Sequence, residues 1–367
     1  MPIDDSAVEH VDDVIAFHRA LPGYAPTRLV ELPNQAGELA VGRLFVKEEK
    51  NRFGLPAFKA LGASWALARA VAAQAGLPKP WTLPALRGAA AKLELEVVTA
   101  TDGNHGRAVA WMAAQVGLSA TVLVPDVIGE AATVAIAGEG AEVVVHHGNY
   151  DETVIRAARY AAEERGRLLV QDTAWPSYTE IPGWIVDGYQ TLLAEVDTQL
   201  ADLGAPPADL VVVPVGVGSL LQAVLSHYSL PHGPEPATKI ASVEPVSAAC
   251  VLASLRADRL TSVDTASTIM AGLNCGTPSS LAWPLIRNGL SAAIAVTDAE
   301  AAQSADLLAE QGVASGPCGA ATLAAVRVML NGSDSEECRD ALGLADTSVV
   351  VLLSTEANSD SVTAEAL

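Results

Sequence analysis

The residues best able to do chemistry in this 367-residue chain fall at four places. Lys59 stands in Arg52-Phe53-Gly54-Leu55-Pro56-Ala57-Phe58-Lys59-Ala60-Leu61-Gly62, among small and apolar residues just before a stretch of helix formers. A lysine partly desolvated in this way loosens its hold on its proton and can condense with an aldehyde. The same setting also suits a lysine that snorkels to solvent. Thr101-Asp102-Gly103-Asn104-His105-Gly106 is a polar, Gly-punctuated turn from a strand into a helix, and Gly216-Val217-Gly218-Ser219 repeats that arrangement. Each either offers an anion the free backbone N–H groups of a helix start or is a tight turn without a ligand. The second loop is no Walker loop, and Leu221 stands where a GxGxxG dinucleotide fingerprint needs glycine. The fourth place is Ser354-Thr355-Glu356, delivered by a late strand.

The elements that must hold these places alternate along the chain. Short β-branched runs predict strands over 97–100, 121–124, 142–145, 168–170, 210–215, 239–243 and 348–353. Longer stretches predict helices over 63–75, 107–116, 151–165, 182–193, 219–228, 298–310 and 319–330. Strands separated by crossover helices define an α/β, doubly wound class. The run 210–215 is apolar without alternation, which predicts burial on both faces. Ligands of open α/β sheets collect at the carboxyl ends of strands, and both Gly loops and Ser354 follow such ends. Pro-rich stretches at 76–84 and 204–207 read as joints between units.

Composition excludes several classes. Half the residues are apolar and 18% are charged, which suits a large core and rules out general disorder. Single cores stop growing near roughly 250–300 residues, so two lobes are expected. A net charge of −21, from 43 acidic and 22 basic side chains, repels nucleic acid and anionic membrane surfaces. The start MPIDDSAVEH is acidic where a signal peptide is basic and apolar, and no apolar run approaches the ~20 residues of a membrane span. A cytoplasmic protein is therefore expected. Cys250, Cys275, Cys318 and Cys338 form no CxxC pair and have no His at ligand spacing, which predicts reduced thiols and no metal site. His146-His147 lacks a third ligand type and reads as a solvated loop.

The order of these pieces is more specific than any one of them. A Lys before a helix, an Asn-bearing Gly turn, a GxGS loop and a late strand ending in Ser make the chain resemble the fold-type II pyridoxal phosphate enzymes, the tryptophan synthase β and threonine deaminase group. Within that group its wording resembles the diaminopropionate ammonia-lyase branch. The likeness runs from Phe17-His18 and Tyr24-Ala25-Pro26-Thr27-Arg28-Leu29 through the Lys59 segment and Thr99-Ala100-Thr101-Asp102-Gly103-Asn104-His105-Gly106-Arg107. It continues in Gln171-Asp172-Thr173-Ala174-Trp175, Tyr178-Thr179-Glu180-Ile181-Pro182, Val243-Glu244-Pro245 and Thr268-Ile269-Met270-Ala271-Gly272-Leu273. Threonine and serine deaminases usually carry Ser or Ala where Asp102 stands. The chain departs from the branch at Pro317-Cys318-Gly319-Ala320, where Glu-Ser-Gly-Ala is usual, and at Leu220-Leu221-Gln222, where smaller residues are usual.

The resemblance implies a two-lobed fold, each lobe a twisted, mostly parallel sheet flanked by helices. Residues 1–60 and 181–367 would form a larger cofactor-binding domain and 61–180 a smaller mobile one, in a homodimer. It implies pyridoxal 5'-phosphate as cofactor, with Lys59 as the Schiff-base lysine and Phe58 beside it. Gly216, Val217, Gly218 and Ser219 would hold the phosphate, Asn104 the ring oxygen and Ser354 the pyridine nitrogen. The implied reaction is α,β-elimination of ammonia from 2,3-diaminopropionate, giving pyruvate and two ammonia, with Asp102, Asp172 and released Lys59 as acid–base groups. A carboxylate suits a substrate with a second ammonium, although Asp102 could also cap a helix and Asp172 close an Asx turn. His105 reads as a hydrogen-bonded structural group, and Trp175 and Tyr178 as packing or pocket-shaping residues. The rivals are a serine or threonine deaminase, a related β-lyase for another β-substituted amino acid, and a non-catalytic cofactor- or amino-acid-binding module.

Overall fold

A computed structural model of the chain describes residues 5–101, 103–228 and 237–357. Its elements run α1 (Asp5–Arg19), β1 (Arg28–Glu31), α2 (Pro33–Glu38), β2 (Arg43–Glu48), α3 (Lys59–Ala75), α4 (Leu83–Ala90), β3 (Glu96–Ala100), α5 (Asn104–Val116), β4 (Ser119–Pro125), α6 (Glu130–Gly138), β5 (Glu142–His146), α7 (Tyr150–Glu163) and β6 (Arg167–Leu169). There follow α8 (Glu180–Gly188), α9 (Gln190–Asp202), β7 (Leu210–Pro214), α10 (Ser219–Tyr228), β8 (Lys239–Pro245), α11 (Cys250–Ala257), α12 (Trp283–Gly289), β9 (Ala292–Val296), α13 (Asp298–Glu310), α14 (Pro317–Asn331), α15 (Ser335–Leu342) and β10 (Val349–Ser354).

The chain divides into two units, Met1–Ala25 with Lys59–Thr191, and Pro26–Phe58 with Leu192–Leu367. These bounds differ from the 61–180 division expected from sequence, for reasons visible inside the first unit. Glycines let α8 and α3 touch backbone to backbone: a Cβ on Gly62 would fall 2.7 Å from Ile185 and Tyr189 side chains, and one on Gly188 would fall 2.5 Å from the Leu61 carbonyl. The end of α1 is tied in by the buried His18, whose Nδ1 lies 2.7 Å from the Thr191 hydroxyl and whose Nε2 lies 3.0 Å from the Leu61 carbonyl. The Pro-rich stretches 76–84 and 204–207 are not joints between units. They are connections inside one, from α3 to α4 and from α9 to β7, where Pro only stops one element before the next.

The first unit carries a parallel four-stranded sheet in the order β5-β4-β3-β6. The second carries a six-stranded sheet, β1-β2-β10-β7-β8-β9, parallel except for β1. Every residue of β7 and β10 is buried, because both lie inside the sheet with α14 packed against them. Strands β1, β2 and β9 escaped the sequence reading. In β2 the pattern is hidden by Lys47 and Glu48, which look solvent-facing and are buried. The helix expected over 182–193 is two helices that break at Tyr189.

The second unit buries a four-charge cluster beside β2. Lys47 and Arg52 bond the carboxylate of Glu195 at 2.7 Å each, and Arg52 bonds Glu49 at 2.6 Å. Thr27 adds its hydroxyl to Glu49 and its carbonyl to Lys47. Burial alone would raise the Glu195 carboxyl, but hydrogen bonds from Arg52 and Lys47 and their charges bring it from 4.5 down to about 2. A depressed carboxyl stabilises the fold above its unfolded pKa and loses that contribution as pH falls through the folded value. Urea denaturation of Glu195→Gln is expected to show a loss of about 3–5 kcal/mol at neutral pH, the cost of breaking a buried pair. The variant should also lose part of the wild-type decline in stability between pH 4.5 and 2; an unchanged acid limb would contradict the assignment.

Candidate active site

Lys59 is the first residue of α3, not the residue before a helix that begins at 63. An ammonium at a helix N-terminus meets the positive end of the peptide dipoles, so it needs a counter-charge. Asp172 supplies it: Lys59 Nζ donates to Asp172 Oδ2 at 2.6 Å, with the carboxylate buried and Lys59 partly so. Asp172 leaves the sheet just beyond β6, as a residue after a strand end was expected to. Its other oxygen accepts from the Tyr150 hydroxyl at 3.4 Å and from Gln171 Nε2 at 3.3 Å.

His105, on the first turn of α5, closes this cluster. Its Nε2 donates to the Val170 carbonyl at 2.9 Å, which leaves Nδ1 as the unprotonated nitrogen, 3.8 Å from Asp172 Oδ2. The hydrogen-bonded role read from sequence is present, and its neighbourhood to Asp172 is what sequence reading missed. Burial first, and the Lys59 charge second, push the imidazole below its usual 6.5, against the pull of Asp172. Burial works against the Asp172 carboxylate as well, but the charge of His105, then that of Lys59, and the Lys59 hydrogen bond hold it well below the usual carboxylate range.

The surrounding motifs serve this geometry. The Thr101 hydroxyl accepts from the N–H groups of Gly103 and Gly106, shaping the turn that starts α5 at Asn104. Asp102 lies outside the described residues. Gln171 is fixed by Thr99 and by the Ala100 N–H. Tyr178 accepts from the Gln171 N–H and donates to the Leu169 carbonyl, both at 2.9 Å, and stacks on Trp175 at 4.5 Å between centroids. These aromatics therefore fold the 171–178 segment into place. His147 pairs with Asp126 at an exposed site, and no His, Cys, Asp and Glu group among the described residues could hold a metal.

In the second unit, the carboxyl ends of the neighbouring strands β7 and β10 carry the other residues singled out. Gly216, Val217 and Gly218 connect β7 to Ser219, the first residue of α10. Gly218 has a φ of +95°, and a Cβ on Gly216 would lie 2.9 Å from the Gly272 carbonyl and 3.0 Å from Cys275 Sγ. The Thr268–Leu273 motif thus backs the loop, and only glycine fits. Glu244, in the Val-Glu-Pro motif, has a structural place: its carboxylate accepts from the Val251 and Leu252 N–H groups at 2.7 and 2.9 Å, at the start of α11.

Ser354 ends β10, fully buried, with its Oγ 2.7 Å from Ser315 Oγ. Beside it, the Phe58 N–H donates to the Thr355 carbonyl and the Ala357 N–H to Pro56, which pins the segment that ends one peptide bond before Lys59. Ser315 carried no local sign in the sequence, because its partner is 39 residues away.

Two mostly parallel α/β sheets, a lysine paired with a buried carboxylate and a GxGS helix start define a class. The chain belongs to the family of pyridoxal-phosphate dependent enzymes, whose model matches residues 20–355. It is 36% identical over 358 residues to the diaminopropionate ammonia-lyase of Salmonella typhimurium, covering 94% of this chain and 88% of that one. It is similar, with a TM-score of 0.88 and 32% identity over 97% of this chain and 90% of the other, to the crystal structure of Escherichia coli diaminopropionate ammonia lyase in complex with D-serine. The same enzyme in complex with an aminoacrylate-PLP azomethine reaction intermediate gives a TM-score of 0.86 at 32% identity, over 97% and 90% of the two chains.

The electrostatics of His105 can be read directly. Long-range 1H–15N correlation of labelled histidine at pH 7 is expected to show a neutral ring protonated on Nε2, titrating below 6.5. An imidazolium at that pH would refute the arrangement.

Proposed function

We propose that this chain catalyses the α,β-elimination of ammonia from 2,3-diaminopropionate, giving pyruvate and two ammonia. The observation that carries the reading is the Lys59–Asp172 pair at 2.6 Å, its carboxylate buried and its lysine partly so, which holds a reactive amine next to an acid–base group. Similarity to diaminopropionate ammonia-lyases over 94% of the chain supports the substrate.

The residues fit the cofactor. Gly216 and Gly218 leave the loop without side chains, and the first N–H groups of a helix face outward from its N-terminus, a donor set suited to a phosphate. We assign Gly216, Val217, Gly218 and Ser219 to that phosphate, Ser354 to the pyridine nitrogen, Asn104 to the ring oxygen, and Phe58 to the cofactor's flank beside Lys59. When bound, pyridoxal phosphate supplies an aldehyde for amines and a conjugated ring that draws electrons from the substrate's Cα–H bond.

Lys59 provides the amine that anchors the cofactor and, once displaced by substrate, a base. Asp172 holds the Lys59 proton at its Oδ2. Whenever Lys59 moves away, Asp172 is a buried carboxylate without its counter-charge, and burial then raises its affinity for a proton. It can therefore take a proton at one stage and return it at another. From the family resemblance we assign Asp102 a matching acid–base role and an attraction for the substrate's second ammonium. We also propose that the protein is a homodimer in the cytoplasm. The family resemblance supports the dimer, and the acidic composition supports the location; among the described residues no helix is long and apolar enough to cross a membrane.

The test is keto-acid and ammonia release from L- and D-2,3-diaminopropionate, L-serine and L-threonine by the cofactor-loaded protein. Pyruvate with two ammonia per turnover from diaminopropionate, abolished in Lys59→Ala, is the expected result. Turnover of serine or threonine alone would replace the reading with a deaminase. Gly216→Ala should weaken cofactor binding about tenfold or more, because overpacking costs ~1–3 kcal/mol and ~1.4 kcal/mol is a decade in affinity. Unchanged affinity, measured by titration of the apoenzyme, would remove Gly216 from the phosphate site.

A further inference from the structure

His105 Nδ1 is buried and has no hydrogen-bond partner, a costly state for a ring nitrogen. The ring's protonation is constrained from the other side: the Val170 carbonyl can only accept, so Nε2 carries a proton. In the neutral ring Nδ1 is therefore a bare lone pair. Asp172 Oδ2 lies 3.8 Å from it, beyond hydrogen-bond reach. The gap fits the charges. A bare nitrogen and an ionised carboxylate set lone pair against lone pair, while Oδ2 is engaged by Lys59 at 2.6 Å. One proton placed between Nδ1 and Oδ2 would turn that repulsion into a hydrogen bond.

We infer that His105 is a positioning residue whose Nδ1 shares the proton that Asp172 takes up once Lys59 has left it. The inference rests on the reading above that Lys59 leaves Asp172 during turnover. A proton arriving at Oδ2 forms an O–H bond there and donates to the Nδ1 lone pair. When it crosses, the O–H bond breaks, an N–H bond forms, and the pair becomes carboxylate and imidazolium. Both forms hold one added proton and no net charge, so the pair titrates as a unit. A hydrogen bond made only by the protonated form raises the pair's affinity for that proton. While Lys59 is in place its charge adds to burial in pushing the imidazole down, so the sharing begins only when the amine departs. The other titratable side chains around the pair, among the described residues, are the phenols of Tyr150, Tyr178 and Tyr189; burial holds the last two above the usual phenol range.

The full chain carrying Lys59→Met presents the pair without the lysine charge. Long-range 1H–15N correlation of labelled histidine is expected to show His105 gaining a proton on Nδ1, with Nε2 still protonated and the titration raised by about one unit or more. Adding Asp172→Asn should bring the titration back down. A His105 that stays neutral in Lys59→Met, or a raised titration that survives Asp172→Asn, would overturn the sharing. A second variant, His105→Gln, keeps an N–H for the Val170 carbonyl and lacks Nδ1. Its holoenzyme is expected to keep cofactor affinity and KM, to lose about tenfold or more in kcat, which is the lower end of what a positioned proton acceptor contributes, and to show the acid limb of kcat at lower pH. A wild-type kcat and acid limb in His105→Gln would overturn the inference. Failure of the substrate assignment shows instead as absent diaminopropionate turnover by the wild-type enzyme, and it leaves the histidine resonances where they are.

Discussion

Two parallel strands buried on both faces cannot carry charge along their length. Both β7 and β10 are buried and paired with a strand on each side, so polar function is confined to where the ladder stops. At that edge β7 gives way to Gly216–Ser219 and β10 to Ser354 and Thr355. The segment that ends at Phe58 is fastened there by main-chain hydrogen bonds, which do not depend on side-chain identity. The chemistry-bearing side chains could therefore change while their placement stayed.

Buried charge is treated in two ways in this chain. Around Arg52 the charges balance, with two cations against two carboxylates, and Arg52 reaches both carboxylates with short bonds at 2.6 to 2.9 Å. Such a cluster has little capacity left to bind or release anything. Asp172 bonds Lys59 at 2.6 Å, with longer contacts from Tyr150 and Gln171 on its other oxygen.

The interior parallel strands were legible in the sequence because continuous Val and Leu leave little choice of period, as in Leu210–Pro214. Strand β2 was not, since Lys47 is acceptable inside only through Glu195, 148 residues on. The same holds for the sites. Lys59, the GxGS loop and Ser354 could be picked out by their place after or before an element. The bond from Lys59 to Asp172, 113 residues apart, and the one from Ser354 to Ser315 are products of the fold and leave no local trace. The two units differ from the division read in the sequence at α1 and α8 for a similar reason: the close approach of Gly188 to Leu61 is a matter of absent side chains, and absence has no periodicity.

That approach limits how Lys59 can move. With the Leu61 carbonyl and Gly62 against the backbone of α8, and the same carbonyl held by His18, the first turn of α3 has no clearance in which to slide or rotate. Leaving Asp172 and coming back to it must then be accomplished by the torsions of one side chain. Rotamer changes of this kind run on timescales of about picoseconds to nanoseconds, far faster than collective motions of helices. Any displacement of the Lys59 amine from Asp172 is thus a matter of side-chain torsions on a fixed backbone and need not wait for helix motion.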